Sequence, residues 1–173
     1  MIAALLLAGE VSGDEVFARL EETWGPLDYR SGPFDFTWTG YYGAEMGEKL
    51  TRFYLSFEAL QNPETLAGLK HQSNRLEDRW RLPSGRRVNI DPGLLSLGRV
   101  ILASTKPADQ RIPLGAGVYG EVTLIYRGGA FQALPWTYPD FRAPETLAAL
   151  AAVRGIYKGQ RRALLKGGFP PKS

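Results

Sequence analysis

Two carboxylates and two cations in the middle of the chain have the types and spacing of a binding or catalytic site. Lys106 and Arg111 are separated by four residues, one of them Pro107, so a tight connection can bring both cations to one anion. In such a pair an arginine fork bonds a carboxylate or phosphate bidentately while a lysine adds a point charge. Asp91 and Glu121 would then supply acid–base work, and Asp91, Glu121 or Asp140 could bind a hard cation such as magnesium, with Asn89 and Thr123 as further ligand-binding groups. The aromatics Tyr41, Tyr42, Trp136 and Tyr138, with Trp38, fall in turns and loops rather than in a periodic core. That placement suits stacking platforms for a ring or base, and equally suits loop residues that pin a long connection to a sheet. The competing reading of the charges pairs Lys106 and Arg111 with Asp109 and Asp91 as surface bridges, each contributing about 0–1 kcal/mol.

A series of strands and helices must position these groups. Ile2 to Ala8 is a continuous apolar run, expected of a strand buried on both faces. Asp14 then caps a helix with Val16, Phe17, Leu20 and Trp24 on one face, ended by Gly25-Pro26. Leu27 to Phe36 reads as a second strand and Leu50 to Glu58 as a third. Asn62 caps a second helix with Pro63 at its first position, and Leu66, Leu69, Ser73, Leu76 and Trp80 form its inner face. Arg86 to Ile90 is a fourth strand, followed by a turn over Asn89–Gly93. The order β-α-β-β-α-β predicts an α+β fold with a ferredoxin-like core. Val100 to Thr105, Arg111 to Leu114, Val118 to Arg127 and Phe131 to Leu134 extend it as antiparallel strands, with a hairpin turn at Gly128-Gly129. Pro144 opens a C-terminal helix. One domain over residues 1–166 is expected, with 167–173 a disordered tail.

Within Val118–Arg127, period two puts Val118, Gly120, Val122, Leu124 and Tyr126 on an apolar face. Tyr119, Glu121, Thr123, Ile125 and Arg127 fall on the other, so Glu121 and Thr123 share either a solvated face or a cleft.

Composition narrows the classes. The 173 residues carry a net charge of +3, too weak to advertise nucleic acid by itself. Basic residues do cluster late, at Arg154, Lys158, Arg161, Arg162, Lys166 and Lys172, with no acid after Glu145. The absence of Cys excludes disulfides and thiolate–metal sites, and one His, His71, makes zinc a poor fit. No run approaches a membrane span, so a cytoplasmic protein without a membrane partner is expected. The first turn, Gly9 to Gly13, contains no G-x-x-x-x-G-K-[ST], and Glu10 and Asp14 would repel a phosphate there.

Four blocks together carry a resemblance: Asn89-Ile90-Asp91-Pro92-Gly93; Thr105-Lys106 with Arg111; Val118-Tyr119-Gly120-Glu121-Val122-Thr123-Leu124; and Trp136-Thr137-Tyr138-Pro139-Asp140. With the loop holding Tyr41, Tyr42 and Glu45, they resemble the bacterial and archaeal domain-of-unknown-function family 4416 over nearly the whole chain up to Arg142. The chain departs from that pattern at Gln110, where the family usually has His, and at Pro113, where it has Tyr. The resemblance supplies no activity and no cofactor. Members have been loosely labelled GTP-binding, which these residues do not support. Thr105-Lys106-Pro107-Ala108-Asp109 has one residue too many for a guanine-reading [NT]-K-x-D, and no phosphate loop accompanies it.

Three functions are therefore expected to compete. The first is a pocket for a small anionic ligand, a nucleotide or phosphorylated metabolite, with or without catalysis. The second is RNA binding on the sheet face and the basic helix. The third is a structural or assembly protein whose polar blocks fix loops.

Overall fold

The computed structural model describes residues 1–38, 43–47 and 49–166. Among them, nine strands form one antiparallel sheet: β1 Ile2–Ala8, β2 Leu27–Arg30, β3 Phe34–Asp35, β4 Leu50–Phe57, β5 Val88–Leu95, β6 Arg99–Ser104, β7 Ile112–Gly115, β8 Val118–Arg127 and β9 Ala130–Ala133. The helices are α1 Gly13–Trp24, the single turn α2 Gly43–Met46, α3 Leu66–Glu77 and α4 Pro144–Lys166. Strand order is β2-β4-β1-β5-β6-β8-β7, with β3 on β4 and β9 on β8.

The apolar run of β1 makes it central, paired with β4 on one side and β5 on the other and buried along its whole length. Its alternate residues feed two cores. Ala3, Leu5 and Leu7 meet Val16, Phe17, Leu20 and Trp24 of α1 and Leu69 of α3. On the opposite face Ile2 and Ala4 meet Tyr54, Leu124, Phe141 and the α4 residues Leu150 and Val153. Helices thus cover both faces of the sheet centre. A smaller cluster of Leu6, Ala8, Phe36, Met46 and Leu50 lies toward the other end of β1.

Local chemistry explains most boundaries. Asn62 accepts from the Glu64 amide at 3.2 Å, so Pro63–Thr65 forms a 3-10 turn that runs into α3. At α1 the N-cap is Ser12, not Asp14, which instead lies in the acidic first turn where it favours the helix dipole. The expected strand Leu27–Phe36 is interrupted after Arg30 and resumes only as β3.

Two irregularities shape the centre of the sheet. The expected turn over Asn89–Gly93 does not exist: these residues run straight through β5. The β5–β6 ladder covers only Gly93↔Leu102, Leu94↔Ile101 and Leu95↔Val100, so the sheet opens beyond Gly93. Ser96 bonds Arg99 across the hairpin, and by the strand's alternation Leu94, Pro92 and Ile90 also turn their main-chain groups toward the β6 side. Pro92 has no N–H to give, so the ladder fails at the step where it would have faced Ala103. Gly93 completes the device. A Cβ there would lie 2.5 Å from the Ile101 carbonyl oxygen, so only glycine lets β6 come this close before the strands part.

The second irregularity is a bulge in β8. Val100 lies opposite Leu124 but Ile101 opposite Val122, which leaves Thr123 as the extra residue. Leu102 then faces Glu121, so Glu121 shares a face with Leu124 rather than with Thr123. The simple alternation expected along Val118–Arg127 is broken at this point.

Candidate functional site

The opening between β5 and β6 is filled from α3. Lys70 and Glu77 take the place of a missing strand: the Lys70 ammonium donates to the Ile90 carbonyl at 3.0 Å, and Glu77 accepts from the Ile90 amide at 2.7 Å. Both main-chain groups of a buried residue are thereby satisfied, as burial demands. Lys70 also donates to Asp91 Oδ1 at 3.1 Å, and Asn89 Nδ2 to Asp91 Oδ2 at 2.8 Å. Burial pushes the Asp91 carboxyl up, but Lys70, Arg52 and the two hydrogen bonds together hold it below the ordinary carboxylate range. Asp91 is therefore an ionised acceptor near neutral pH.

Over this floor lies a cavity of about 630 Å³. Arg52 of β4, Asn89 and Asp91 of β5, Leu102 and Ser104 of β6 and Glu121 of β8 line it, joined by Lys70 and Asn74 from α3. Strand registers put Arg52 and Asn89 opposite Leu6, Asp91 opposite Ala4 and Glu121 opposite Leu102, which sets these side chains on the α4 face of the sheet. The mouth carries Phe36 and Trp38 from one side and Tyr138 to Phe141 from the other, with Thr105, Lys106 and Arg111 at the β6–β7 connection. Trp38 is 45% and Tyr138 53% exposed, so both rings present surface to solvent.

Buried ion pairs set the electrostatics. Arg52 Nη2 bonds Asp140 Oδ2 at 2.7 Å, with both side chains under 10% exposed, and the guanidinium lies 5.0 Å from the centre of the Phe36 ring. Burial keeps the Asp140 carboxyl above its ordinary range despite Arg52. Arg111 Nε bonds Glu121 Oε2 at 2.9 Å, its Nη1 reaches Ser104 Oγ and the Lys106 carbonyl, and Gln110 donates to the same Glu121 oxygen at 2.9 Å. Arg86 grips Glu45 of α2 bidentately at 2.8 and 2.9 Å and also meets Asn89 and Glu77. That fork holds the Glu45 carboxyl low and raises Arg86 further, whereas burial, the largest influence on Glu77, pushes its carboxyl up.

Of the residues expected from sequence, Asn89, Asp91, Lys106, Arg111, Glu121 and Tyr138 line this one cavity. Thr123 does not. It is fully buried at the bulge, and its carbonyl accepts from Thr137 Oγ1 at 2.6 Å. Trp136 lies outside the lining too, its indole N–H donating to the Val122 carbonyl at 2.9 Å. Both residues anchor the 134–142 segment to β8. Tyr41 and Tyr42 lie outside the described residues, as does the expected tail at 167–173. Arg111 is no surface cation waiting for a ligand, because Glu121 and Ser104 already occupy its fork. His71 shares a 3.0 Å hydrogen bond with the Ala116 carbonyl in the β7–β8 turn.

Sequence reasoning missed Arg52, Lys70 and Arg86 as cavity-forming charges. A signal existed for two of them. Lys70 sits among the buried α3 positions Leu66, Leu69, Ser73 and Glu77, and Arg52 alternates with Leu50 and Tyr54 on a buried strand face. A charge at such a position implies an internal partner.

No group of three or more metal-ligating side chains occurs among the described residues, and no helix there is long and apolar enough to cross a membrane. Fold and site together define a mixed α/β protein with an antiparallel nine-stranded sheet and a charged cavity where that sheet opens. The chain belongs to the family described as Domain of unknown function (DUF4416), whose model matches residues 1–157. Comparison with curated proteins and with solved structures yields no match.

Proposed function

We propose that the protein binds a small anionic ligand, a nucleotide or phosphorylated metabolite, in the cavity between β5 and β6. The observation that carries this reading is the cavity's makeup: about 630 Å³, within the range of small-molecule sites, with five basic side chains against three acidic ones among the described residues of its lining. Lys106 stands exposed at the mouth and Lys70 at the floor, while Trp38 and Tyr138 offer ring faces. Asp91 and Glu121 accept hydrogen bonds within this setting and position the cations beside them. RNA binding has less support, because helices cover both faces of the sheet centre that would serve as a platform. An assembly role has less support too, since Glu121 borders a cavity instead of a convex surface.

The test is ligand-dependent melting across a panel of phosphorylated metabolites and nucleotides. One-site binding at a hundred times Kd adds about 2.7 kcal/mol of stability. A shift in the wild type that Lys106→Ala reduces supports the reading, and no shift with any compound removes it.

The same proposal extends to architecture. Strand order β2-β4-β1-β5, with α1 after β1 and α3 after β4, supports a ferredoxin-like core to which β6 to β9 are added. Strands from both halves of the chain share one sheet, which supports a single domain over 1–166.

A further inference from the structure

We infer that the cavity selects a ligand with a single phosphate on a hydroxylated ring and disfavours a polyphosphate; this rests on the anionic-ligand reading above. The reason is that most of the site's positive charge is already matched. Arg52 is paired with Asp140, Lys70 with Asp91 and Arg111 with Glu121, and all but Asp91 of these six side chains are less than 10% exposed. Arg86, the next cation, is held by Glu45 and Glu77. A ligand that drew these cations onto itself would strand buried carboxylates, and a buried charge without its partner costs several kcal/mol.

A phosphate monoester carries about −1.5 to −2 charges near neutral pH. It can be met without dismantling those pairs. Lys70 has three N–H donors and spends two on Ile90 and Asp91, which leaves one for a ligand at the floor. A triphosphate multiplies the charge and brings it against Asp91, Glu121 and Asp140, carboxylates of the same lining.

Those carboxylates are what a hydroxylated ring needs. Asp91, 28% exposed and held ionised, accepts from ring hydroxyls much as an acidic residue takes a ribose hydroxyl in dinucleotide sites. The half-exposed rings of Trp38 and Tyr138 provide apolar surface for a sugar or base face. Donors and acceptors therefore alternate along one cavity, which fits a polyol monophosphate better than a bare polyanion.

Isothermal titration of the full chain with ribose 5-phosphate, adenosine and guanosine monophosphates, and the corresponding triphosphates, each with and without Mg²⁺, tests this. The monoesters should bind about tenfold tighter than the triphosphates, a difference of roughly 1.4 kcal/mol. Ribose 5-phosphate equal to the monophosphates means that ring and phosphate suffice; a tighter nucleoside monophosphate adds a seated base. Both support the inference. Triphosphates that bind as tightly or more tightly in either condition overturn it while leaving the anionic-ligand reading intact. Failure of every compound to bind removes both.

Discussion

Lys70 and Glu77, two turns apart on α3, together hold both main-chain groups of Ile90, at 3.0 and 2.7 Å. A lysine and a glutamate thereby replace one residue of a β-ladder, and the space left by the absent strand becomes the cavity. Glu77→Ala should orphan the Ile90 amide and destabilise the protein by about 1–3 kcal/mol in urea titration. Glu77→Gln, which keeps an acceptor, should recover most of that loss. Equal losses in the two variants would mean that the hydrogen bond to Ile90 is not what matters.

Gly93 should tolerate no side chain. A Cβ at this position would lie 2.5 Å from the Ile101 carbonyl oxygen and 2.7 Å from Leu102 Cδ2, so Gly93→Ala must push β6 away from β5. Chemical denaturation should report a loss of about 1–3 kcal/mol, typical of overpacking. A wild-type midpoint would show that β6 yields without cost.

The two cations expected at the site should behave differently. Lys106 is exposed, so Lys106→Ala should change stability by no more than about 0.5 kcal/mol while weakening ligand binding. Arg111 is buried against Glu121, so Arg111→Ala should cost about 3–5 kcal/mol by leaving a buried carboxylate without its partner. Pairing it with Glu121→Gln should restore much of the loss in a double-mutant cycle.

Two glutamates on Arg86 should give opposite pH responses. The Glu45 carboxyl lies below its ordinary value of 4.5 in the fold, so its contribution is present above 4.5 and is lost as pH falls through the lowered value. Glu77 is raised above 4.5, so the folded state binds the proton more strongly and stability declines as pH rises through the raised value. Stability measured against pH should therefore lose part of its acid-side decline in Glu45→Gln. In Glu77→Gln, stability relative to wild type should improve as pH rises past 4.5. The same sign in both variants would contradict these assignments.

Much of the fold is legible in the sequence because local signals agree with it. The apolar run of β1, the Asn62-Pro63 helix start and the Gly128-Gly129 hairpin each act over a few residues. Asn89–Gly93 misleads because Asp-Pro-Gly has turn chemistry; here the proline ends a ladder and the glycine admits a neighbouring strand. The β8 bulge misleads for a related reason: one extra residue, Thr123, exchanges the faces that period two assigns. The cavity's ion pairs join residues as distant as Arg52 and Asp140, and no local pattern encodes such a pairing. Asp91, Lys106, Arg111 and Glu121 are accessible to sequence reasoning because they stand in short polar blocks; that Arg111 serves Glu121 is not.

The most direct measurement is a crystal soaked with ribose 5-phosphate or a nucleoside monophosphate at saturating concentration. Density for the phosphate within hydrogen-bond distance of Lys70 or Lys106, with the Arg52–Asp140 and Arg111–Glu121 pairs intact, is the predicted result. An empty cavity, or ligand seated elsewhere on the molecule, would contradict the account.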